Sequence, residues 1–290
     1  MDSSKITPWE MYKACKTGFT RQPVPSSRTL QDGSTTTSVK ETANALLHNF
    51  FPDDSTDSDN GKQKSTRAQI TYLRSPDSQP EPNFTEHEVD EVISKLDESK
   101  CPGLNGIDGN IVERLQKYLP KVWFALYNKC FPKVWKNARV IAISKADKTK
   151  LRSVEGYRGV SLLSGPGKFL EKLVIERLNH FLETTGQISS LQFGLTAGRS
   201  TADAIKTVSD FVGHSRKRGR KCCVLALDIA GAFDNAWHPG ILARLRKLKC
   251  PPNTYNMVKD FLCDRTAHVT LGNSLSSKRV TKGSPQGSAS

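Results

Sequence analysis

The chain has 290 residues, of which 43 are Lys or Arg and 29 are Asp or Glu, for a formal net charge of +14. Its length suits one large domain or two ordinary ones, and its apolar content supports a sizeable core, so most of it should be folded. The charge favours a polyanionic partner such as nucleic acid, although many proteins are basic for solubility alone. No signal peptide pattern and no apolar run near the roughly 20 residues of a membrane span occur, so we expect a soluble, intracellular chain without a membrane partner.

The N-terminal part contains an apolar patch, a polar run and the start of a helix. Residues 43–51 carry the apolar pattern. Residues 53–65 are rich in Asp, Ser, Gly and Lys, which predicts a mobile loop. Thr85 and Glu88 supply the N-cap and capping-box residues of a helix, with Phe84 as its hydrophobic staple. We therefore place the start of the compact domain near residue 84.

Helical and strand-like patterns alternate in the rest of the chain. A loop is predicted from Lys145 to Ser164. Helices are predicted over residues 112–128, 170–182, 201–212, 239–248 and 254–264. Strands are predicted over residues 139–144, 221–228, 266–271 and 276–280. This order predicts a mixed α/β or α+β architecture.

Asp228 is the candidate catalytic residue, because it ends the continuous apolar run of residues 222–227. A carboxylate at the end of a buried strand is desolvated on one side and persists as an anion only beside a cation, which a divalent metal would supply. Small residues at 230–232 leave room for a metal and a phosphate, and Phe233 would form a wall for a sugar. The alternative is an Asp that caps the following helix, and this segment alone leaves both interpretations open.

Five blocks of sequence, in order, resemble those of reverse transcriptases. Residues 228–233 resemble motif A, an Asp followed after four residues by an aromatic. Residues 283–288, Gly-Ser-Pro-Gln-Gly-Ser, are similar to motif B. The other three blocks lie upstream, at residues 100–107, at Lys145 with residues 157–163 and 168–171, and at residues 192–201. Together they run from about residue 84 to the last residue, and they resemble non-LTR retrotransposons of the jockey and ribosomal-DNA-inserting kinds.

The resemblance implies an RNA-directed DNA polymerase that uses two-metal nucleotidyl transfer. Its partners would be an RNA template, a DNA primer and deoxynucleoside triphosphates. The resemblance assigns Mg²⁺ or Mn²⁺ to Asp228, which would hold both ions, and to the carbonyl of Ile229.

The resemblance also assigns the residues that would contact the nucleotide. Phe233 would clash with a ribose 2'-hydroxyl and so select deoxynucleotides. Lys145 as a point charge and Arg158 as a bidentate fork would neutralise the triphosphate. Gln286 and Gly287 would contact the nucleotide or the template beside it. Taken singly, the two cations are equally compatible with solvated charges, and the Phe with an ordinary core ring.

A basic cluster lies before the Asp228 segment and consists of Arg216, Lys217, Arg218, Arg220 and Lys221. It would touch the template-primer backbone; a solvated surface and a nuclear-localisation signal are the alternatives. The resemblance places the parent protein in the nucleus and cytoplasm. Nothing in the sequence indicates the oligomeric state.

The resemblance implies a right-hand polymerase with three regions. Residues 1–83 would be a partly disordered linker from an endonuclease, residues 84–220 the fingers, and residues 221–290 part of the palm. The family's third catalytic block, an aromatic, any residue and then Asp-Asp, lies downstream of motif B, and the chain ends at Ser290 before it. We therefore expect a chain cut before the catalytic hairpin and thumb and inactive alone, with a catalytically dead nucleic-acid-binding remnant as the alternative.

Several residues depart from the family pattern. Residues 51–54, Phe-Pro-Asp-Asp, imitate the third catalytic block, but they precede motif A and contain a Pro that disfavours a hairpin strand, so we interpret them as coincidental. Gly159 stands where the family has Pro, and Thr196 where it has Arg. These departures weaken the assignment of the fingers blocks.

Overall fold

The computed structural model describes residues 27–30, 32–72, 76, 81–96, 101–145, 152–229 and 231–285. The chain divides into two compact units. The larger unit comprises residues 1–177 and 231–290, and the smaller unit comprises residues 178–230. The helices are α1 (Val39–Phe50), α2 (Gly61–Tyr72), α3 (Glu86–Ser94), α4 (Gly109–Tyr118), α5 (Pro120–Tyr127), α6 (Gly165–Thr184), α7 (Thr201–Lys217), α8 (His238–Lys247) and α9 (Pro252–Leu262). The strands are β1 (Asn137–Ser144), β2 (Tyr157–Leu162), β3 (Arg265–Leu271) and β4 (Ser274–Val280). The predicted mixed α/β architecture is confirmed.

The larger unit contains a four-stranded mixed sheet in the order β2-β1-β3-β4. β1 is antiparallel to β2 and parallel to β3, and β3 and β4 form an antiparallel hairpin through the turn at Gly272. The strands predicted over 139–144, 266–271 and 276–280 are confirmed. β2 falls within the predicted loop: its mixed sequence has no strand pattern of its own, and its hydrogen bonds come from the preceding strand, β1.

α1 packs on one face of the sheet. Its N-cap is Ser38, whose side chain accepts a hydrogen bond from the backbone N–H of Glu41. The core on this face includes Ala43, Leu46, Leu47 and Phe50 of α1 and Val140, Ala267, Val269 and Val280 of the strands. The prediction that the compact domain starts near residue 84 is therefore wrong, because the apolar patch of residues 43–51 is part of the same core.

The polar run predicted as a mobile loop contains the start of α2. Arg67 of α2 makes a bidentate ion pair with Asp54, with both N–O distances 2.7 Å, and a second ion pair with Asp59. Its guanidinium also lies 5.3 Å from the ring centroid of Trp237. Ion pairs and not buried apolar side chains hold this segment in place. Its polar composition therefore led to the prediction of a mobile loop.

The second core of this unit is helical. Phe84, Val89, Val112, Tyr127, Phe169, Leu173 and Met257 are among its buried residues. The capping box of Thr85 and Glu88 at the start of α3 is formed as predicted. The single helix predicted over 112–128 is two helices, because Pro120 has no N–H to donate within a continuing helix and begins α5 at its first turn.

The smaller unit holds the last residues of α6, the helix α7 and a following segment without regular secondary structure. α7 begins with a second capping box, formed by Ser200 and Asp203, and buries none of its side chains. No helix in the described part of the chain is long and apolar enough to cross a membrane.

Candidate active site

A pocket of about 200 Å³ lies at one end of β1 and β2 and draws on five separate segments of the larger unit. Its lining comprises Asn49, Phe50, Phe51, Lys145, Tyr157, Arg158, Gly159, Asp234 and Ser284. The pocket therefore gathers two cations of the fingers blocks with a residue of the turn after motif A and a residue of motif B.

The pairing of β1 with β2 brings the two cations to the same place. Ser144, the last residue of β1, pairs with Tyr157, the first residue of β2. The backbone N–H of Lys145 donates to the carbonyl of Gly156 at 2.7 Å, and Arg158 follows Tyr157 on β2. Because both side chains are exposed at this end of the strand pair, they are available to an anion in the pocket.

Backbone hydrogen bonds join the turn after motif A to the start of motif B. The N–H of Ser284 donates to the carbonyl of Phe233 at 2.9 Å, and the N–H of Gly283 donates to that of Ala236 at 2.8 Å. His238 adds a contact of 2.7 Å between its Nε2 and the carbonyl oxygen of Gly283. Burial lowers the pKa of the His238 imidazole, with the hydrogen bond to Gly283 acting in the opposite direction, so the neutral ring is favoured. We call these three contacts the A–B clasp.

Phe233 lies in a tight turn of the larger unit. Gly231 adopts a φ of +60°, and its carbonyl accepts a hydrogen bond from the N–H of Asn235 at 2.9 Å. The Phe233 side chain is 54% exposed, so it is not a core ring.

Asp228 lies in the smaller unit, in a segment without regular secondary structure whose side chains are mostly exposed. The predicted buried strand over residues 221–228 is wrong: no described residue pairs with this segment, and Leu227 is 85% exposed. An apolar run becomes a buried strand only where neighbouring strands satisfy its backbone and other layers cover both its faces. The described residues provide neither.

The residues around Asp228 do not amount to a two-metal site. Among the described residues no group of three or more His, Cys, Asp or Glu side chains is placed to hold a metal ion. One carboxylate can bridge two divalent ions at the separation of roughly 3.5 to 4 Å that the two-metal mechanism uses, but it does not complete the coordination of either ion. Asp228 and the carbonyl of Ile229 would therefore need further ligands.

The basic cluster sits at the end of α7 and in the turn beyond it. Arg216 and Lys217 belong to the last turn of the helix, where cations interact favourably with the helix dipole. All five cluster side chains are exposed. They form no ion pair within the described part of the chain, so their charges are available to a polyanion.

Comparison with known proteins agrees with these motifs. Residues 143–290 match the family described as reverse transcriptase (RNA-dependent DNA polymerase). The chain belongs to the reverse transcriptase family. This match includes the pocket cations, the A–B clasp and Asp228.

Curated relatives extend the similarity to nearly the whole chain. An RNA-directed DNA polymerase from the mobile element jockey of Drosophila melanogaster is 33% identical over 300 residues, which cover 99% of this chain and 31% of the relative. A Pol polyprotein from the type-1 retrotransposable element R1 of Bradysia coprophila is 30% identical and covers 99% of this chain and 28% of the relative. The chain thus spans less than a third of the length of these relatives.

The structure brings together some of the residues that the sequence singled out. Lys145 and Arg158 line one pocket, whereas Phe233 is joined to motif B only through its backbone. Gln286 and Gly287 lie outside the described residues, so their predicted contacts stay predictions.

Sequence reasoning missed several pocket residues. Asp234 and Ser284 stand beside predicted residues, and Tyr157 was noted only as part of a motif. Asn49 and Phe50 come from a segment taken for a linker. The signal that marks them is the apolar spacing of residues 43–51, which is typical of a helix packed on a core.

Proposed function

We propose that this chain forms the fingers and part of the palm of an RNA-directed DNA polymerase of a non-LTR retrotransposon. The observation that carries the proposal is the pocket that collects Lys145, Arg158, Asp234 and Ser284 from blocks spread over 140 residues of sequence. Residues 84–220 correspond to the fingers and residues 221–290 to part of the palm.

The pocket takes the phosphate end of a deoxynucleoside triphosphate. Its volume of about 200 Å³ is below the roughly 300–1,000 Å³ of a complete small-molecule site, so it encloses only part of a nucleotide. Arg158 binds phosphate oxygens through its planar fork, and Lys145 neutralises them as a point charge. Phe233 excludes the ribose 2'-hydroxyl, and Gln286 with Gly287 contacts the nucleotide or template.

Asp228 is the metal-binding carboxylate in this proposal. Reverse transcriptases generally use divalent metal ions, and Mg²⁺ or Mn²⁺ would bind Asp228 and the carbonyl of Ile229 once further carboxylates lie beside them. Those ligands, and the strands that would cover the apolar side chains of residues 224–229, are supplied by the remainder of a polymerase.

The RNA template and DNA primer approach the exposed basic cluster. Contacts to a phosphate backbone require cationic side chains but no sequence-specific contacts to bases. The cluster supplies five exposed cations within six residues. The same cluster is a candidate nuclear-localisation signal, which would bring the protein to chromosomal DNA.

Magnesium-dependent primer extension on an RNA template tests the polymerase proposal. Two proteins are compared: the 290-residue chain, and a chimera that joins it to the downstream polymerase residues of the Drosophila melanogaster jockey relative. We expect extension by the chimera and a loss of at least about a thousandfold with Asp228→Ala, because the metal site then lacks its first carboxylate. Asp228 is exposed, so the variant should unfold at the same urea concentration as the wild type, which is the control.

Failure of the chimera to extend any primer, with salt-sensitive binding of the RNA retained, would contradict the polymerase proposal. The chain would then be a nucleic-acid-binding remnant.

A further inference from the structure

Phe50 at the end of α1 occupies the space above a glycine of β2. A Cβ atom added at Gly159 would lie 2.7 Å from Cδ2 and 2.8 Å from Cγ of the Phe50 ring, which is closer than real Cβ contacts. Phe50 is only 6% exposed, and both residues line the pocket. The Gly at position 159, where the family pattern has Pro, therefore makes room for a ring from the N-terminal segment.

The N-terminal part of the chain also contacts the residues that lead into β2, the strand of Arg158. The side-chain amide of Asn49 donates to the carbonyl of Val154 at 3.1 Å. Arg28, which is 7% exposed, donates from Nη2 to the hydroxyl of Tyr157 at 2.5 Å, and its guanidinium lies 5.2 Å from the centroid of that ring. Backbone hydrogen bonds join Thr29 to the carbonyl of Arg152 at 2.9 Å and to the N–H of Val154 at 3.3 Å. These contacts hold residues 152–157, which lead into β2, against the N-terminal part of the chain.

The segment also reaches the strand that leads into motif B. Asp53 accepts hydrogen bonds of 2.7 Å at both carboxylate oxygens from Nζ of Lys278, which lower the pKa of its carboxyl. The backbone N–H of Asp54 donates to Oγ1 of Thr281 at 2.9 Å, two residues before Gly283 of the A–B clasp. Residues 49–54 therefore touch both sides of the pocket.

We propose that residues 49–54, which precede the region matched to the reverse transcriptase family, are an integral wall of the nucleotide pocket. Within this wall Phe50 is a positioning residue that sets β2, and with it Arg158, through its contact with Gly159. This inference rests on the proposed function, because it assigns the pocket a triphosphate. It gives residues 51–54 a structural role, although their sequence, Phe-Pro-Asp-Asp, resembles the metal-binding third catalytic block.

A double-mutant cycle on the 290-residue chain tests the inference, with dTTP and Mg²⁺ as the probe and calorimetric Kd as the readout. Gly159→Ala should weaken dTTP binding about tenfold, because its Cβ drives the ring and the strand apart. Phe50→Leu should weaken binding about threefold, because the wall loses its ring. The double variant should bind within about threefold of the wild type, since the smaller side chain at position 50 accommodates the new methyl group.

Leu46→Ala is the matched control. Leu46 is a buried residue of the same helix and the same core, 1% exposed, and it does not line the pocket. It should lower the thermal unfolding midpoint as much as Phe50→Leu or more, while leaving the Kd for dTTP unchanged.

Three outcomes are decisive. Loss of binding in Gly159→Ala with recovery in the double variant supports the inference. Unchanged Kd in the folded Phe50 and Gly159 variants, or an equal loss in Leu46→Ala, overturns the inference and leaves the nucleotide pocket standing. Absence of dTTP binding to the wild type overturns the inference together with the nucleotide pocket, and that failure is recognised from the wild type alone.

Discussion

Gly283 is the residue on which the A–B clasp depends most directly. Its φ of +85° lies in the left-handed region, and an added Cβ would lie 2.7 Å from the carbonyl oxygen of Asp234. It also donates its N–H to Ala236 and contacts His238 with its carbonyl. A side chain at this position would strain the backbone of residue 283. It would also collide with a backbone atom, the carbonyl oxygen of Asp234.

Gly283→Ala should therefore lower the free energy of unfolding by more than the roughly 1–2 kcal/mol that left-handed strain costs alone. Gly272→Ala is the control, because Gly272 has a φ of +54° and no atom within 4 Å of its added Cβ. Urea unfolding of both variants measures the two losses. Equal losses would show that the close approach to Asp234 adds nothing.

At the scale of elements, α3 and α6 are joined by a charged contact. Nε and Nη2 of Arg177 donate to the Glu88 carboxylate at 2.6 and 2.9 Å, and its two Nη groups donate to the carbonyls of Pro82 and Asn83. The guanidinium also lies 4.2 Å from the centroid of the Phe84 ring. Burial raises the pKa of Glu88, but the hydrogen bonds from Arg177 and Thr85 outweigh it and hold that pKa at about 2.

Acid should release this contact. A carboxyl whose pKa falls from 4.5 in the unfolded chain to about 2 in the folded chain stabilises the fold fully above pH 4.5. That stabilisation is lost as the pH falls from 4.5 towards 2. Glu88→Gln should remove this part of the pH dependence, measured as the difference in unfolding free energy between pH 6 and pH 3.

Glu86→Gln is the control for this measurement. Glu86 lies in the same first turn of α3 and forms no ion pair among the described residues. An unchanged pH dependence in Glu88→Gln, or an equal change in Glu86→Gln, would contradict the assignment of the acid sensitivity to Glu88.

The sequence predicted those elements whose signals are local. The capping box at Thr85 and Glu88 and the strands predicted over 266–271 and 276–280 lie within short windows, and the structure contains both. β2 was not predicted because its strand conformation depends on hydrogen bonds to β1. Residues 221–228 were wrongly predicted as a strand because a strand also requires a partner strand, which their own sequence does not specify. Local pattern fixes a helix end but leaves strand pairing undetermined.

At the scale of the whole molecule, the sequence motifs predicted two residues that line one pocket, whereas the start of the compact domain was predicted too far along the chain. Lys145 and Arg158 were identified from their blocks, and they line one pocket. The polar residues after position 52 form an ordered segment, although they were predicted to be a mobile loop. Arg67 holds this segment through ion pairs with Asp54 and Asp59, which its low apolar content does not reveal. Residues 49–51, which line the pocket, were assigned to a linker because of the resemblance to retrotransposon proteins.

The most direct test of the whole account is to locate a bound triphosphate on the 290-residue chain. A deoxythymidine triphosphate that carries a photoreactive aryl azide on its γ-phosphate would be crosslinked to the chain and mapped by peptide mass spectrometry. We predict labelling of the peptides that contain Lys145 and residues 157–159, suppressed by excess dTTP and reduced at least about tenfold in Arg158→Ala. Labelling confined to other peptides, or labelling that dTTP does not suppress, would contradict a nucleotide site in this pocket.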